Sequence, residues 1–469
     1  MAAALLASVP AQAEAPASPT GATESPSATK DVVVDAVNPA AAPAPTAPTR
    51  TGGRLVPTPA AGAVAGATTG QPAAIYTSPV HDAAAAGALA DLGLALMVDH
   101  SRASGNAARN DVLSPLSVAL ALGMVHAGAA GTSAREMSSL LAPAAAGDRM
   151  FSARIPSLLS RIVPKGKVTG PLSMASRVWV RKEVASAIPA PYAALVSARF
   201  ATDAAVLSFD NPNTARQAIN QWTAQQTRDR IRQLLPQGSV TATTKLVVTN
   251  AVHFKSPWAQ PFDPAATESK PFQTPSGTKN VPTMVSERPV LQGVVDNLTV
   301  MELPFVDNAY SLILAMAPGQ HTLNALETDL SGVDVAAWSQ QLKPVNCQLE
   351  MPRFSIQSAA RSLKPALQAL GVRTLFTDQA DLEPLLGRAA KGVMVDDVMH
   401  AATLVIDERG GEAAAATSAT TAAKSFTLPA PRCAVDKPFV FAIVHKATGT
   451  PVFMGKVADP SASAGKEAS

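Results

Sequence analysis

The sequence predicts an α+β fold in which strands and helices are intermixed along the chain, and two observations carry that prediction. Runs dense in β-branched and aromatic residues, among them 245–255, 300–305, 310–316, 395–407 and 438–445, alternate with segments of helical apolar spacing. At 469 residues and 47% hydrophobic content, the chain can also bury a core large enough to hold them.

Taken in order, residues 1–13 carry a short apolar patch followed by Ala11-Gln12-Ala13, a small-x-small pattern like the end of a signal peptide. Residues 14–80 are mostly Ala, Pro, Thr, Ser and Gly, too poor in apolar area to offset their ordering entropy, and read as a disordered linker. The folded domain is expected over 81–460 and a disordered tail over 461–469. Leu89, Leu92 and Leu96 set a helix that should stop before the polar run 99–110. A short strand at 110–113 then gives way to a buried helix with Pro115 in its first turn, which places Ser114 and Ser117 at its N-terminus. Thr132 or Ser133 should cap the next helix.

A strand at 176–180 precedes an amphipathic helix expected over 218–235, with Ile219, Trp222, Ile231 and Leu235 on its apolar face. The long β run 245–255 is interrupted by Asn250, an amide that must find hydrogen-bond partners if buried. Strands at 300–305, 310–316 and 347–354, a helix at 363–370 ending at Gly371, and a strand at 395–407 follow. Two apolar strands, 438–445 and 451–457, form a hairpin about 447–449. Residues 408–425 suit neither state: Ala413, Ala414, Ala415 and Ala416 favour helix, but Gly410-Gly411 before them and a Thr/Ser/Ala run after them leave no apolar stripe to bury. They read as a loop able to become a strand.

Composition removes several functions. The 38 basic and 35 acidic residues leave a net charge of +3 with no basic block, so no nucleic-acid partner is expected. No run of eighteen apolar residues is present to span a membrane. Cys347 and Cys433 are too few for a disulfide framework or structural zinc site and read as two free thiols. The seven histidines form no His-x-x-x-His pair, and no Gly-x-Ser-x-Gly elbow, phosphate-cradling loop or dinucleotide turn is present. No catalytic residues, metal or cofactor are expected.

Several ordered motifs resemble one family. They are residues 110–117 with Ser-Pro-Leu-Ser, 128–137, 219–227, Asn250-Ala251-Val252-His253-Phe254-Lys255 with Trp258, and Glu302-Leu303-Pro304-Phe305. Residues 408–417, Asp436-Lys437-Pro438-Phe439-Val440-Phe441 and 453–457 complete the series. In this order, over roughly four-fifths of the chain, the sequence resembles a serpin, a serine protease inhibitor of the suicide-substrate type, and an exported bacterial member is expected.

The resemblance implies three β-sheets, eight or nine helices and an exposed reactive-centre loop at 408–425. A target protease would cut this loop and be held as a covalent complex when the loop inserts into the central sheet. It implies a hinge formed by Glu408, Gly410, Gly411, Glu412, Ala413, Ala414, Ala415, Ala416 and Thr417, in which 411, 413, 415 and 417 face the core and are small. Gly411 departs from the family's usual Thr or Ser. Ser114, Ser117, Asn250 and His400 match a buried cluster where the central sheet must open, and Trp258 matches the aromatic at the top of that opening. Counting from Glu408 places the scissile bond at Lys424-Ser425, which suits a trypsin-like protease. The segment before residue 437 is longer than usual and leaves cuts after Phe426, Leu428 or Arg432 open. A monomer, secreted or periplasmic, is expected, with a non-inhibitory binding or folding-assistance serpin as the alternative.

Overall fold

Helix Pro115–Ala127 is apolar on every side, and its residues from Pro115 to Val125 are all buried. A helix of that kind must sit inside the protein. The computed structural model, which describes residues 79–103, 109–141, 150–163, 170–185, 188–319, 335–411 and 430–462, packs it against strands of two different sheets.

In chain order the described elements begin with α1 (Pro79–Ala103), β1 (Asp111–Leu113), α2 (Pro115–Ala127), α3 (Gly131–Leu141) and α4 (Ile155–Ile162). Next come β2 (Leu172–Arg181), α5 (Ala190–Phe200), β3 (Ala204–Leu207), α6 (Pro212–Gln226) and β4 (Leu246–Phe254). The middle of the chain supplies β5 (Glu268–Thr274), β6 (Gly277–Val295), β7 (Leu298–Pro304), β8 (Tyr310–Met316), α7 (Val335–Gln341), β9 (Lys343–Pro352), β10 (Phe354–Gln357) and β11 (Arg361–Ser362). The last are α8 (Lys364–Ala369), α9 (Glu383–Leu386), β12 (Asp397–Ile406), β13 (Arg432–Ala434), β14 (Phe439–His445) and β15 (Thr450–Val457).

One sheet has the order β10-β12-β4-β2-β3, with β11 also paired to β12. The other strands form a single hydrogen-bonded set, β1-β15-β14-β8-β7-β6-β9-β13, with β5 on β6. The 19-residue β6 makes that set continuous: it pairs with β5 and β9 through most of its length and with β7 at its end. Two of the three expected sheets are thereby joined end to end. β14 and β15 are buried at every position, in keeping with their mostly apolar sequences, and the burial extends to Thr450, Lys456 and His445.

Three local expectations are corrected. Helix α1 continues to Ala103, through the polar residues after Asp99, because its other face is anchored by Leu89, Leu92, Leu96 and Met97 in the core. Although α1 is long and apolar enough to cross a membrane by composition, that packing makes it a core helix. Thr132 and Ser133 lie inside α3, and the Ser133 hydroxyl accepts from the Asp381 amide instead of capping. Helix α6 ends at Gln226, since Arg228 and Asp229 take positive φ of 53° and 61°. Ile231 and Leu234 therefore belong to an irregular strap, which lies on Ala175, Ala251 and Ala401 of β2, β4 and β12.

Candidate functional site

Strands β4 and β12 run parallel, with Asp397 to Thr403 paired to Val247 to His253 and His400 directly opposite Asn250. This seam is covered on one face by the strap and on the other by α2. Parallel strands buried on both faces read as continuous apolar runs, which makes the amide and the imidazole at their centre exceptional.

Both polar side chains are fully buried, and α2 supplies their partners. Ser114 caps α2, its side chain accepting from the Ser117 amide. Asn250 Nδ2 donates to the Ser117 carbonyl at 2.9 Å and to Ser176 Oγ at 2.6 Å. Asn250 Oδ1 accepts from Ser117 Oγ at 2.9 Å and lies 2.6 Å from His400 Nδ1. The Ser114 amide, which can only donate, points at His400 Nε2 at 3.4 Å. Nε2 is therefore the acceptor, and Nδ1 carries the proton given to Asn250. Burial, reinforced by the positive charge of Arg361, holds His400 well below the usual imidazole range, in keeping with this neutral tautomer. Ser176 was not anticipated; it enters because the antiparallel pairing of β2 with β4 sets it opposite Asn250, a register invisible in the sequence.

At the upper end of the seam the chain leaves β12 through a tight turn. Asp407 and Gly410 exchange backbone hydrogen bonds at 3.0 and 3.1 Å, so Gly410 turns back antiparallel to β12. Gly410 also bridges Pro257, just beyond the end of β4, and the Gly411 amide donates to Ser256 O at 2.7 Å. The chain at 410–411 thus lies between the continuations of the two central strands. Only glycine fits at 410: its φ is +119°, and a Cβ there would collide with Ser256 O and stand 2.6 Å from Trp258 N. At 411 a Cβ would meet Ser256 N at 3.2 Å and the Phe254 ring at 3.3 Å.

Trp258 braces the turn. It stacks on Phe305 at a centroid distance of 4.5 Å, donates from Nε1 to Asp407 O at 2.8 Å, and donates from its amide to Arg409 O at 3.0 Å. Glu408 is buried, with Oε1 accepting from Thr267 Oγ1 at 2.7 Å and paired with Arg353 at 3.4 Å. The structure thus brings Ser114, Ser117, Asn250 and His400 together at the middle of the seam, and Trp258, Glu408, Gly410 and Gly411 at its top. Glu412, Ala413, Ala414, Ala415, Ala416, Thr417, Lys424 and Ser425 lie outside the described residues.

Beyond that segment the chain re-enters at β13, which pairs in parallel with β9. Cys347 and Cys433 form a disulfide, which corrects the expectation of free thiols. They are 86 residues apart in the chain, but the β9/β13 pairing brings their Cα atoms to 5.8 Å, within the usual range for a bridge.

The family model described as "Serpin (serine protease inhibitor)" matches residues 88–460. The chain belongs to the serpin family. Among relatives of this serpin, serine protease inhibitor 42Dd of Drosophila melanogaster is 32% identical over 358 residues, covering 75% of this chain and 92% of that protein. The leukocyte elastase inhibitor of Bos taurus is 31% identical over 76% of this chain and 94% of its own length. Among solved structures, serpin-12 of Manduca sexta aligns with a TM-score of 0.69 at 28% identity, over 80% of this chain and 99% of that one. Human thyroxine-binding globulin, at a TM-score of 0.73 and 24% identity over 82% of this chain and 100% of that one, shares the fold. These relatives are animal proteins and lend no support to the expected bacterial origin.

Proposed function

We propose that this serpin is a suicide-substrate inhibitor of a trypsin-like serine protease, cut between Lys424 and Ser425 and completed by insertion of residues 411–417 and beyond between β4 and β12. The observation that carries this reading is the double bridge of Gly410 to Asp407 and Pro257. Counted seven residues on from Gly410, and seven back from Asp407 and Pro257, an inserted Thr417 would meet His400 and Asn250, which are already opposite one another. Directly opposed residues of neighbouring strands share a face, so Gly411, Ala413, Ala415 and Thr417 would point with Asn250 and His400 toward α2.

The other face is accounted for as well. Ala416 would fall between Ala251 and Ala401, beneath Ile231 and Leu234 of the strap, where a small residue is needed. Glu412 would lie between Val405 and the exposed Lys255, where its charge stays solvated beside a cation. Glycine at 411 is compatible with insertion, because its site against Ser256 and Phe254 is tight.

In the chemistry proposed, the protease serine attacks the Lys424 carbonyl, the bond to Ser425 breaks, and the Ser425 amine leaves with a proton. The Lys424 side chain would suit a specificity pocket holding a carboxylate. About a dozen inserted residues would gain on the order of 10 kcal/mol in backbone hydrogen bonds, enough to make the uncut fold metastable and trapping irreversible. No catalytic residue of its own is required. The buried disulfide favours an oxidising compartment and so supports export.

Incubation with trypsin tests the proposal. An SDS-stable complex is expected, with a new N-terminus at Ser425. Because Cys433 is bonded to Cys347, the piece beginning at Ser425 should separate only after reduction. Complete cleavage with no stable complex would overturn the inhibitory reading and favour a binding role.

A further inference from the structure

We infer that Asn297 is an acceptor for an asparagine-linked oligosaccharide, carried at the tip of the β6–β7 hairpin. The inference rests on export, which the buried disulfide supports, and not on the inhibitory reading.

The sequence holds one site of this kind. Of its twelve asparagines, only Asn297 is followed two residues on by Ser or Thr with no Pro between, in Asn297-Leu298-Thr299. That pattern is the acceptor for N-linked transfer in exported chains: the amide takes the sugar, and the hydroxyl two residues on completes the signal. The pattern alone does not make a site, because the folded protein must also leave the amide clear.

The hairpin does so. Val295 pairs with Leu298, which leaves Asp296 and Asn297 as a two-residue loop. Their φ angles of 51° and 64° make it a tight turn of the kind that Asp and Asn accept. Val295 and Leu298 are buried and pin the turn to the body of the protein, while Asp296 and Asn297 are exposed. Turn geometry explains an asparagine at 297 but asks nothing of residue 299. Among the described residues, neither the Asn297 amide group nor the Thr299 hydroxyl makes a side-chain hydrogen bond, so the fold itself uses neither polar group of the pattern. Val294, directly opposite Thr299, is 74% exposed, so the flank of the hairpin beside the acceptor stands open.

In the transfer, the Asn297 side-chain nitrogen bonds to the anomeric carbon of an oligosaccharide carried on a polyprenyl pyrophosphate. The carbon–oxygen bond to the pyrophosphate breaks, the lipid pyrophosphate leaves, and the nitrogen gives up one proton. The side chain remains an uncharged amide and gains a bulky hydrated group on its solvent side.

The test sends the full-length chain through the secretory pathway of cultured animal cells and reads the intact mass of the secreted protein before and after treatment with a peptide N-glycosidase. Wild type should exceed the mass of its polypeptide by one glycan and lose it on treatment, with the acceptor asparagine converted to aspartate. Thr299→Ala, which leaves both turn residues in place, should be secreted without the glycan, and Thr299→Ser should keep it. Asn297→Gln should also lack it. Wild type secreted at polypeptide mass overturns the inference, as does a glycan that persists in Thr299→Ala or Asn297→Gln. Glutamine suits a positive φ less well than asparagine, so should Asn297→Gln fail to fold, the two Thr299 variants decide alone. The readout involves no protease and stands apart from any test of inhibition.

Discussion

Replacing Asn250 with alanine should destabilise the uncut protein far more than an ordinary core truncation. Four hydrogen bonds are lost at once, to Ser117 O, Ser117 Oγ, Ser176 Oγ and His400 Nδ1, although Ser117 Oγ keeps the Ser114 carbonyl at 3.2 Å. The Ser117, Ser176 and His400 side chains are all at least 96% buried, so water does not replace the amide. At ~1 kcal/mol for each hydrogen bond left unmade, the loss comes to about 4 kcal/mol, a substantial part of a typical domain's stability. Equilibrium urea denaturation of uncut wild type and variant, with unchanged slope, measures it directly. The loop-cut proteins provide the internal comparison. If residue 417 enters between His400 and Asn250, the strands carrying them move from about 4.8 Å to about twice that, and their mutual bond is gone in both proteins. The cost of the substitution should then be smaller in the cut form by about 1 kcal/mol or more. A penalty below ~1 kcal/mol in the uncut protein would refute the satisfaction argument, and equal penalties in the two forms would refute the seam as the place of insertion.

Two further outcomes follow from the same geometry. Thr417→Glu would aim a carboxylate at the buried His400–Asn250 position, where an unpaired charge costs several kcal/mol; the variant should be cut by trypsin after Lys424 yet yield at least about tenfold less SDS-stable complex, and undiminished complex would exclude the deduced register. Acid should weaken the uncut fold. Burial holds His400 well below its ordinary value and brings His253 and His445 down to about 4, so between pH 6.5 and 4 the unfolded chain binds more protons than the folded one. Stability is then complete above about pH 6.5 and falls as the pH drops, by up to ~1.4 kcal/mol per unit for each histidine. Melting temperatures at pH 7.5 and 5 check this, and equal values would contradict the burial of neutral imidazoles.

Much of the fold was legible because its signals are local. The predominantly apolar runs of β14 and β15, the Ser114-Pro115 start of α2, and the positions of β4 and β12 are written in single stretches of sequence. The anomaly of Asn250 was equally plain, and ordered motifs were needed to pair it with His400. What escaped detection depends on register or on distant pairing. Ser176 becomes a partner of Asn250 only through the β2/β4 alignment. The disulfide requires β13 to lie beside β9, a contact formed across 86 residues. Helix α6 was drawn too long because Ile231 and Leu235 continue an apolar pattern, although the positive φ at Arg228 and Asp229 redirects the chain into the strap.

The turn at Asp407–Gly410 would also bear on the timing of the proposed inhibition. In that mechanism trapping would be a race between insertion and hydrolysis of the acyl bond, and strand addition is ordinarily slowed by the search for a first correct pairing. Here that pairing exists before any protease arrives, with Gly410 seated between Asp407 and Pro257. A slip of one residue would turn Glu412 and its alternates toward α2, so starting from a single defined register removes wrong alignments as well as delay. Insertion would then advance by local steps alone, each residue opening one more pair of the seam, and its speed would be set by how readily β4 parts from β12.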